Sequence, residues 1–223
     1  MLSDHDIMAE FEAAEAILRG HFILSSGLHS DTYLQCARVL MNPKRADKLC
    51  AALAQKLRAA LSMGASRASE PSASEAARSV GQQTNAEQTR IDLVVAPAMG
   101  GVVVGYEMGR QLGIETIFCE RENGEFTLRR GFAIAPGAKV LMVEDVVTTG
   151  KSSLEAVKCV EALGGQVVAE VSLIDRSGGA HGLPFPLVSL LTLDVKTYQP
   201  DALPPHLKDT QGVKPGSRWL QKA

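Results

Sequence analysis

An apolar run that leads into two acids and then into a hydroxyl-rich turn is the most informative part of this sequence. In chain order it contains the apolar residues 140–143, Glu144, Asp145, Thr148, Thr149, Gly150, Lys151 and Ser152. Carboxylates only accept hydrogen bonds, so they can bind neighbouring sugar hydroxyls or, more weakly, a metal, but not phosphate. Free amides and hydroxyls at the start of a helix suit a phosphomonoester. The segment therefore predicts a site for a phosphorylated sugar.

Two other interpretations of this segment compete with a sugar-phosphate site. A nucleotide-binding P-loop would also end in Gly-Lys-Ser, but it needs a glycine at the position that Asp145 occupies. An ordinary turn between a strand and a helix would use Thr148 and Thr149 as caps, but it does not call for paired acids at the end of a strand. Both alternatives explain less of the segment.

The segment closely resembles the phosphoribosyl-diphosphate motif of the type I phosphoribosyltransferases. In that family two acids bind the ribose 2- and 3-hydroxyls, and the loop that follows them wraps the 5-phosphate. The resemblance implies that Glu144 and Asp145 are catalytic acids that hold the ribose. It assigns further contacts with phosphoribosyl diphosphate to the residues that follow, with no catalytic role for the lysine: Val146, Val147, Thr148, Thr149, Gly150, Lys151 and Ser152.

A glycine-containing turn after an earlier apolar segment resembles the diphosphate loop of the same family. Residues 91–96 indicate a strand, and residues 96–101 form the turn, with Met99 and Gly100 at its centre. The resemblance implies that the backbone of Met99 and Gly100 meets the diphosphate, and that the loop holds a cis peptide bond between non-proline residues. A plain glycine turn between a strand and a helix is the alternative, since such turns are common.

Two segments resemble the orotate phosphoribosyltransferases within this family. Residues 20–33 follow their N-terminal signature, G-x-F-x-L-x-S-G-x-x-S, although Ser25 stands where many members carry Lys. The resemblance implies that Ser26 and Thr148 contact orotate and that Arg176 binds its carboxylate, because a guanidinium can form paired hydrogen bonds with a carboxylate. The alternatives are a polar loop at residues 20–33 and a surface ion pair between Arg176 and its neighbour Asp175.

Residues 120–132 occupy the place of the family's mobile catalytic loop, which supplies cations to the diphosphate of a neighbouring subunit. Arg121 matches that pattern and is predicted to be catalytic and to bind phosphoribosyl diphosphate. Glu122 replaces an expected Lys, and neither the later Lys nor the His of the family is present. Arg129 and Arg130 either compensate for these losses or are solvated charges of a hairpin.

The elements that position these residues indicate a single α/β domain over residues 1–223. Strands and helices alternate from residue 91 onward, which favours a mainly parallel sheet flanked by helices, with ligands beyond the carboxyl ends of its strands. Residues 3–19 predict a helix, capped by the Ser3 and Asp6 pair, within an N-terminal hood of residues 1–40. Residues 66–90 are poor in large apolar side chains and predict a flexible insertion.

Composition and charge exclude several classes of protein. Lys and Arg number 23 and Asp and Glu 25, a formal net charge of -2, which argues against extended nucleic-acid binding. No apolar run approaches the roughly 20 residues of a membrane-spanning helix, so no membrane partner is expected. The four cysteines lie far apart and encode neither a zinc site nor a disulfide framework. Together with an acidic N-terminus that lacks a secretory pattern, this favours a cytoplasmic enzyme.

The resemblance implies a magnesium-dependent transfer of the phosphoribosyl group from 5-phosphoribosyl 1-diphosphate to orotate, in a homodimer. Its Mg2+ would be carried by the diphosphate substrate rather than by protein ligands. A purine phosphoribosyltransferase is the close alternative, because it would share residues 144–152 without needing a carboxylate clamp. A nucleotide-sensing regulator that binds RNA on the same fold is a more distant one, disfavoured by the lack of a basic stripe.

Overall fold

The computed structural model describes residues 2–24, 26–67 and 90–215. Its helices are α1 (Asp4–Ala13), α2 (Cys36–Leu40), α3 (Pro43–Arg67), α4 (Gly100–Leu112), α5 (Lys151–Ala162) and α6 (Pro205–Lys208). Its strands are β1 (Ile17–Ile23), β2 (His29–Leu34), β3 (Leu93–Pro97), β4 (Thr116–Glu122), β5 (Glu125–Leu128), β6 (Lys139–Val147), β7 (Gln166–Asp175) and β8 (Leu187–Thr192). The predicted insertion at 66–90 lies, apart from 66–67 and 90, outside the described residues, as does Ser25.

A six-stranded sheet in the order β5-β4-β3-β6-β7-β8 forms the centre of the molecule. Every pairing in it is parallel except that of β5 with β4, which confirms the predicted mainly parallel α/β fold. Strand β3 is buried along its whole length, as expected for a strand covered on both faces. Strands β3, β6 and β7 are neighbours that run in one direction, so the residues that follow them meet at the same edge of the sheet.

The apolar core consists of two clusters, one on each face of the six-stranded sheet. Val94 of β3 packs in a cluster with α3, α4 and the N-terminal elements, whereas Leu93 and Val95 pack in a second cluster with α5. The side chains of a strand point alternately to its two faces, so one strand serves both clusters. The helices therefore cover both faces and hold the strand ends in fixed relative positions.

The predicted helix at residues 3–19 is wrong in its second half. The Ser3 and Asp6 capping box is confirmed, but α1 ends at Ala13. Residues 17–23 instead form β1, which pairs antiparallel with β2 from Ile17↔Leu34 onward. The helical spacing of apolar residues continues past the true end of α1, so local periodicity does not reveal the pairing with β2.

The two-stranded sheet of β1 and β2 is joined to the C-terminal part of the chain. Phe22 bridges to Val213, and His29 bridges to Tyr198. The imidazole Nδ1 of the buried His21 lies 2.9 Å from Thr210 Oγ1, and its Nε2 lies 2.5 Å from His29 Nδ1. Within the described ranges, no helix is long and apolar enough to cross a membrane.

Candidate active site

Glu144 and Asp145 lie near the carboxyl end of β6, beside the matching end of β7. Glu144 is only 8% exposed and pairs in register with Ser172 of β7. Its Oε2 accepts a hydrogen bond from the Asp145 amide at 3.2 Å, and Asp145 Oδ1 accepts one from the Val146 amide at 2.9 Å. These bonds fix both carboxyl groups and leave oxygens available to a ligand.

Burial raises the pKa of both acids because water no longer solvates their charged forms. The pKa of Glu144 lies well above its ordinary value, first through burial and then through the negative charge of Asp145. Two adjacent carboxyl groups with raised pKa values gain most from a ligand that brings hydrogen-bond donors or positive charge. Vicinal sugar hydroxyls and a divalent cation both meet that requirement.

The turn between β3 and α4 packs directly against these acids. A Cβ at Gly100 would lie 2.8 Å from Asp145 Oδ1, and one at Gly101 would lie 2.8 Å from the carbonyl oxygen of Val143. Only glycine permits this approach, which brings the positive end of α4 beside the Asp145 carboxyl. The peptide bond between Ala98 and Met99 is cis, as the resemblance implies, and Met99 is 83% exposed.

The turn from β6 into α5 exposes hydroxyls and backbone at the same edge of the sheet. The structure exposes Thr148, Thr149, Lys151 and Ser152. Gly150 adopts a left-handed conformation with φ of 71°, and a Cβ there would lie 2.1 Å from the His181 carbonyl oxygen. Among the described residues, Gly150 offers no side-chain cap to α5, and the Lys151 amide makes one long hydrogen bond of 3.4 Å to Thr149 Oγ1. The next amides at the start of the helix have no partner within it. An anion fits that position.

Arg176 follows β7 at the third strand end of this edge. Its amide donates to the Val147 carbonyl at 2.8 Å, which fixes it beside the end of β6. Its guanidinium Nε is buried and has no hydrogen-bond partner among the described residues. Burial lowers the pKa of the Arg176 side chain because the charged form is desolvated. An unpaired, buried donor on a cation is suited to an anionic ligand such as a carboxylate.

The surface ion pair considered for Arg176 and Asp175 does not form among the described side chains. Asp175 is 8% exposed, and its Oδ1 instead accepts a hydrogen bond from the Ser177 amide at 2.7 Å. That contact fixes the turn after β7 and leaves the Arg176 guanidinium free for a ligand. The alternative of a surface ion pair between Asp175 and Arg176 is therefore wrong.

Tyr33 and Cys36 connect the N-terminal elements to this edge. Burial raises the pKa of the Tyr33 hydroxyl, and the charge of Asp145 raises it further while that of Arg176 lowers it. Cys36 Sγ lies 3.9 Å from the Asp145 carbonyl oxygen. Tyr33 thus interacts electrostatically with Asp145 and Arg176, a role that its sequence signature did not assign to it. Its place at the end of a hydroxyl-rich signature was the available clue.

Ser26 is exposed in the turn between β1 and β2. Its Oγ accepts a hydrogen bond from the Leu28 amide at 3.4 Å. The described contacts link it only to its own turn, so its predicted role in binding orotate stays a prediction.

The part of the expected mobile loop that spans residues 120–128 is an antiparallel hairpin of β4 and β5, while its mobility stays a prediction. Its turn is formed by Asn123 and Gly124, both at positive φ. Arg130 binds Glu120 through two hydrogen bonds of 2.8 and 3.1 Å, and Arg129 lies 3.9 Å from Glu122. These contacts favour the second alternative, in which both arginines are charges of the hairpin.

Arg121 lies on β4 and points toward α5. It forms an ion pair with Glu155, donates to the Gly124 carbonyl at 2.8 Å, and places its guanidinium 4.1 Å from the centre of the Phe126 ring. These contacts hold the side chain in the hairpin. Its assignment to the diphosphate remains a prediction.

Comparison with known proteins places the chain among sugar-phosphate transferases. Residues 65–196 match the family model described as phosphoribosyl transferase domain. The chain is 52% identical over 217 residues to orotate phosphoribosyltransferase of Rhizorhabdus wittichii, covering 97% of each chain. It is 53% identical over 218 residues to the same enzyme of Sphingopyxis alaskensis, covering 97% of this chain and 98% of the relative.

The solved structures that resemble this one have the same fold. Orotate phosphoribosyltransferase of Aeropyrum pernix superposes with a TM-score of 0.59 at 24% identity, covering 84% of this chain and 93% of its own. UMP synthase of Leishmania donovani superposes with a TM-score of 0.63 at 18% identity, covering 86% of this chain and 37% of its own. At these identities the likeness is one of fold.

Proposed function

The chain belongs to the orotate phosphoribosyltransferases of the phosphoribosyl transferase family, and from that premise we propose how its residues divide the reaction. The enzyme transfers the 5-phosphoribosyl group from 5-phosphoribosyl 1-diphosphate to orotate and gives orotidine 5-monophosphate and diphosphate, a step of UMP biosynthesis. The observation that carries the assignment of residues is the convergence of three strand ends, each with groups suited to one part of the substrates.

The ribose 5-phosphate is assigned to the segment from Glu144 to Ser152. Exposed hydroxyls and the start of α5 suit the phosphate, and the buried Glu144 and the partly buried Asp145 suit the 2- and 3-hydroxyls. In this arrangement the carboxylates accept hydrogen bonds from the ribose while positive charge develops at its anomeric carbon. Their negative charge stabilises that carbon as the diphosphate leaves.

The diphosphate is assigned to the turn at Met99 and Gly100, which lies beside Asp145. Magnesium fits this site as an ion that arrives with the diphosphate. The described residues contain no group of three or more side chains able to cage a metal, and Mg2+ usually retains several waters and substrate oxygens. When bound it neutralises charge on the leaving diphosphate. Arg121 is proposed to add a second positive charge there.

Orotate is assigned to Arg176, with Thr148 and Ser26 as further contacts. The buried, unpaired Nε of Arg176 favours a base that carries a carboxylate, which adenine and hypoxanthine lack. The reaction then requires no protein nucleophile. Holding the base nitrogen and the anomeric carbon in line supplies much of the catalysis, because the two reactants no longer have to find each other in solution.

A homodimer is proposed from an apolar stripe on α4. Met99, Val103 and Tyr106 follow one another at helical spacing and are 83%, 51% and 69% exposed. Met41, which is 78% exposed, ends the neighbouring α2. Apolar surface of this kind favours contact with a partner, and a second copy would cover it next to the diphosphate turn. Tyr106→Glu should yield monomers in sedimentation measurements, whereas exchange of the exposed Arg129 for Glu should not.

A cytoplasmic location is proposed from the thiols. All four cysteines are free, and three of them are buried, which suits a reducing compartment.

The test of the proposed function is diphosphate release from phosphoribosyl diphosphate. We expect release that depends on both orotate and Mg2+, and no competition by adenine or hypoxanthine. Release that is driven by a purine and unaffected by orotate would overturn the assignment of Arg176.

A further inference from the structure

Glu170 is a buried carboxyl group to which the proposed reaction gives no role. It lies on β7 between β6 and β8, paired with Met142 and Leu187, and its exposure is 0%. Its Oε1 accepts a hydrogen bond from Ser153 Oγ at 2.7 Å. Its Oε2 is buried without a hydrogen-bond partner among the described residues. Burying a carboxyl group with one unpaired oxygen costs free energy, so the presence of Glu170 beside Ser153 calls for an explanation.

Ser153 connects Glu170 to the turn assigned to the 5-phosphate. It is the third residue of α5, is 2% exposed, and directly follows the exposed Lys151 and Ser152. The start of α5 is supported locally only by a long hydrogen bond of 3.4 Å from the Lys151 amide to Thr149 Oγ1, so its other first amides remain available to an anion. The hydrogen bond from Ser153 to Glu170 ties that turn to the central sheet.

A negative charge on Glu170 disfavours binding of a phosphate at the first turn of α5. A negative charge under the first turn of a helix interacts favourably with the helix dipole while the site is empty. A phosphate uses the same positive end, so the two negative groups then repel each other. The neutral carboxyl group keeps an oxygen that accepts from Ser153 without this repulsion. Phosphate binding and ionisation of Glu170 therefore oppose each other.

Few other ionisable groups act on Glu170. Glu144 of β6 interacts with its charge, which raises the pKa of Glu144. Strand β8 carries no ionisable side chain. On α5, Lys151 and Lys158 are exposed, and Glu155 is ion-paired. A negative charge on Glu170 thus disfavours the ionised form of Glu144 as well, which is the form that accepts the ribose hydroxyls.

We propose that Glu170 is a positioning residue that holds the first turn of α5 through Ser153 and takes up a proton when phosphoribosyl diphosphate binds. The inference rests on the proposed assignment of the 5-phosphate to residues 148–152. Burial raises the pKa of Glu170 to about 7, opposed by the hydrogen bond from Ser153, so the empty enzyme holds this group partly ionised at neutral pH. Affinity for phosphoribosyl diphosphate then falls as pH rises through neutrality.

The first test compares the KM for phosphoribosyl diphosphate between pH 6 and pH 8.5 in the wild type and in Glu170→Gln. The amide retains an oxygen that accepts from Ser153 and cannot ionise. Titration of the substrate affects both proteins equally, so it cancels in the ratio of their KM values. We expect the ratio of wild type to variant to rise by roughly threefold to tenfold over this range, since one pKa unit corresponds to about tenfold in affinity. The KM for orotate should show no such trend.

Glu161→Gln is the matched control, since it changes an exposed carboxylate near the other end of the same helix. Its profile should follow that of the wild type. Ser153→Ala removes the hydroxyl that favours the charged form, so the rise in KM should move to higher pH. A Glu170 that serves only the packing of β7 would change stability without moving this profile.

Calorimetry supplies a second measurement that does not depend on turnover. Binding of magnesium phosphoribosyl diphosphate without orotate is measured at pH 7.5 in two buffers that differ in ionisation enthalpy. The wild type should take up more protons than Glu170→Gln. If that variant does not fold, Ser153→Ala should still move the pH of maximal uptake upward.

A ratio of KM values that is flat with pH, or equal proton uptake by wild type and variant, would overturn the inference. Failure of the proposed function looks different, because the wild type would then release no diphosphate in the presence of orotate at any pH.

Discussion

Replacing Arg176 with Ala tests the part of the site that distinguishes orotate from other bases. The Arg176 guanidinium follows β7, its Nε is buried without a partner among the described residues, and its backbone is fixed by the Val147 carbonyl. The residues assigned to phosphoribosyl diphosphate lie elsewhere, in the turn after β3, at the end of β6 and the turn that follows it, and on β4. Loss of the guanidinium should therefore affect the two substrates unequally.

The expected magnitude follows from the hydrogen bonds that Arg176→Ala removes. A hydrogen bond to a charged group contributes about 1.5 to 3 kcal/mol, which corresponds to a factor of roughly 10 to 150 in kcat/KM. A guanidinium and a carboxylate can form two such bonds, so kcat/KM for orotate should fall at least tenfold. The KM for phosphoribosyl diphosphate should stay within about twofold of the wild type, because charges assigned to that substrate remain in place.

The assay is initial-rate measurement of orotidine 5-monophosphate formation with each substrate varied in turn. Arg176→Lys should give an intermediate loss, since an ammonium keeps the charge but not the paired donors. Arg129→Ala is the control, because that arginine is exposed and lies 3.9 Å from Glu122 on the hairpin. A similar loss of affinity for both substrates in Arg176→Ala would refute the assignment of this side chain to orotate.

Three further predictions concern the hairpin, the unassigned insertion and the buried acid of β7. Arg121→Ala should lower kcat more than it raises either KM, because its interaction with the diphosphate is stronger in the transition state. If the arginine serves a partner subunit, mixing inactive Arg121→Ala subunits with inactive Asp145→Asn subunits should restore activity. Mixed dimers that form and yet stay inactive would contradict this role. Removal of residues 68–88 should leave activity and Tm nearly unchanged, because loop closure depends weakly on length; insoluble protein would argue that the segment packs. Burial raises the pKa of Glu170 from 4.5 to about 7, so between these pH values the folded state retains a proton that the unfolded state loses. The free energy of unfolding should therefore fall by up to roughly 3 kcal/mol as the pH rises from 4.5 to about 7. Urea unfolding of Glu170→Gln should show a smaller decrease than the wild type, since only the contributions of Glu144 and Asp145 remain.

The segment from Glu144 to Ser152 was predictable because its structure depends on residues close together in the chain. An apolar strand, a turn with Gly150 and the start of α5 at Lys151 follow one another directly. The same holds for the Ser3 and Asp6 capping box, which needs only three residues of separation. In such cases local propensity and the final fold agree.

One local prediction failed because distant pairing decided the structure, and one hairpin turn was overlooked. Residues 17–19 fit a helical pattern but form β1, because β2 supplies a partner strand from Ile17↔Leu34 onward. Residues 120–128 form a hairpin around Asn123 and Gly124, a pair that is typical of two-residue hairpin turns and was present in the sequence. The family resemblance led instead to a mobile loop, and the mobility of this hairpin stays a prediction.

The sequence by itself determined which chemical groups this protein carries: paired acids, a hydroxyl-rich turn, a glycine turn and an arginine after a buried strand. Only the tertiary structure decided that the ends of β3, β6 and β7 meet, that the charge of Asp145 acts on Tyr33, and that the Arg176 Nε is buried without a partner among the described residues. It also placed Glu170 beneath the first turn of α5. The physical reason is that motifs within one turn depend on local backbone preferences, whereas burial, pKa values and unpaired donors depend on elements that are distant in the chain.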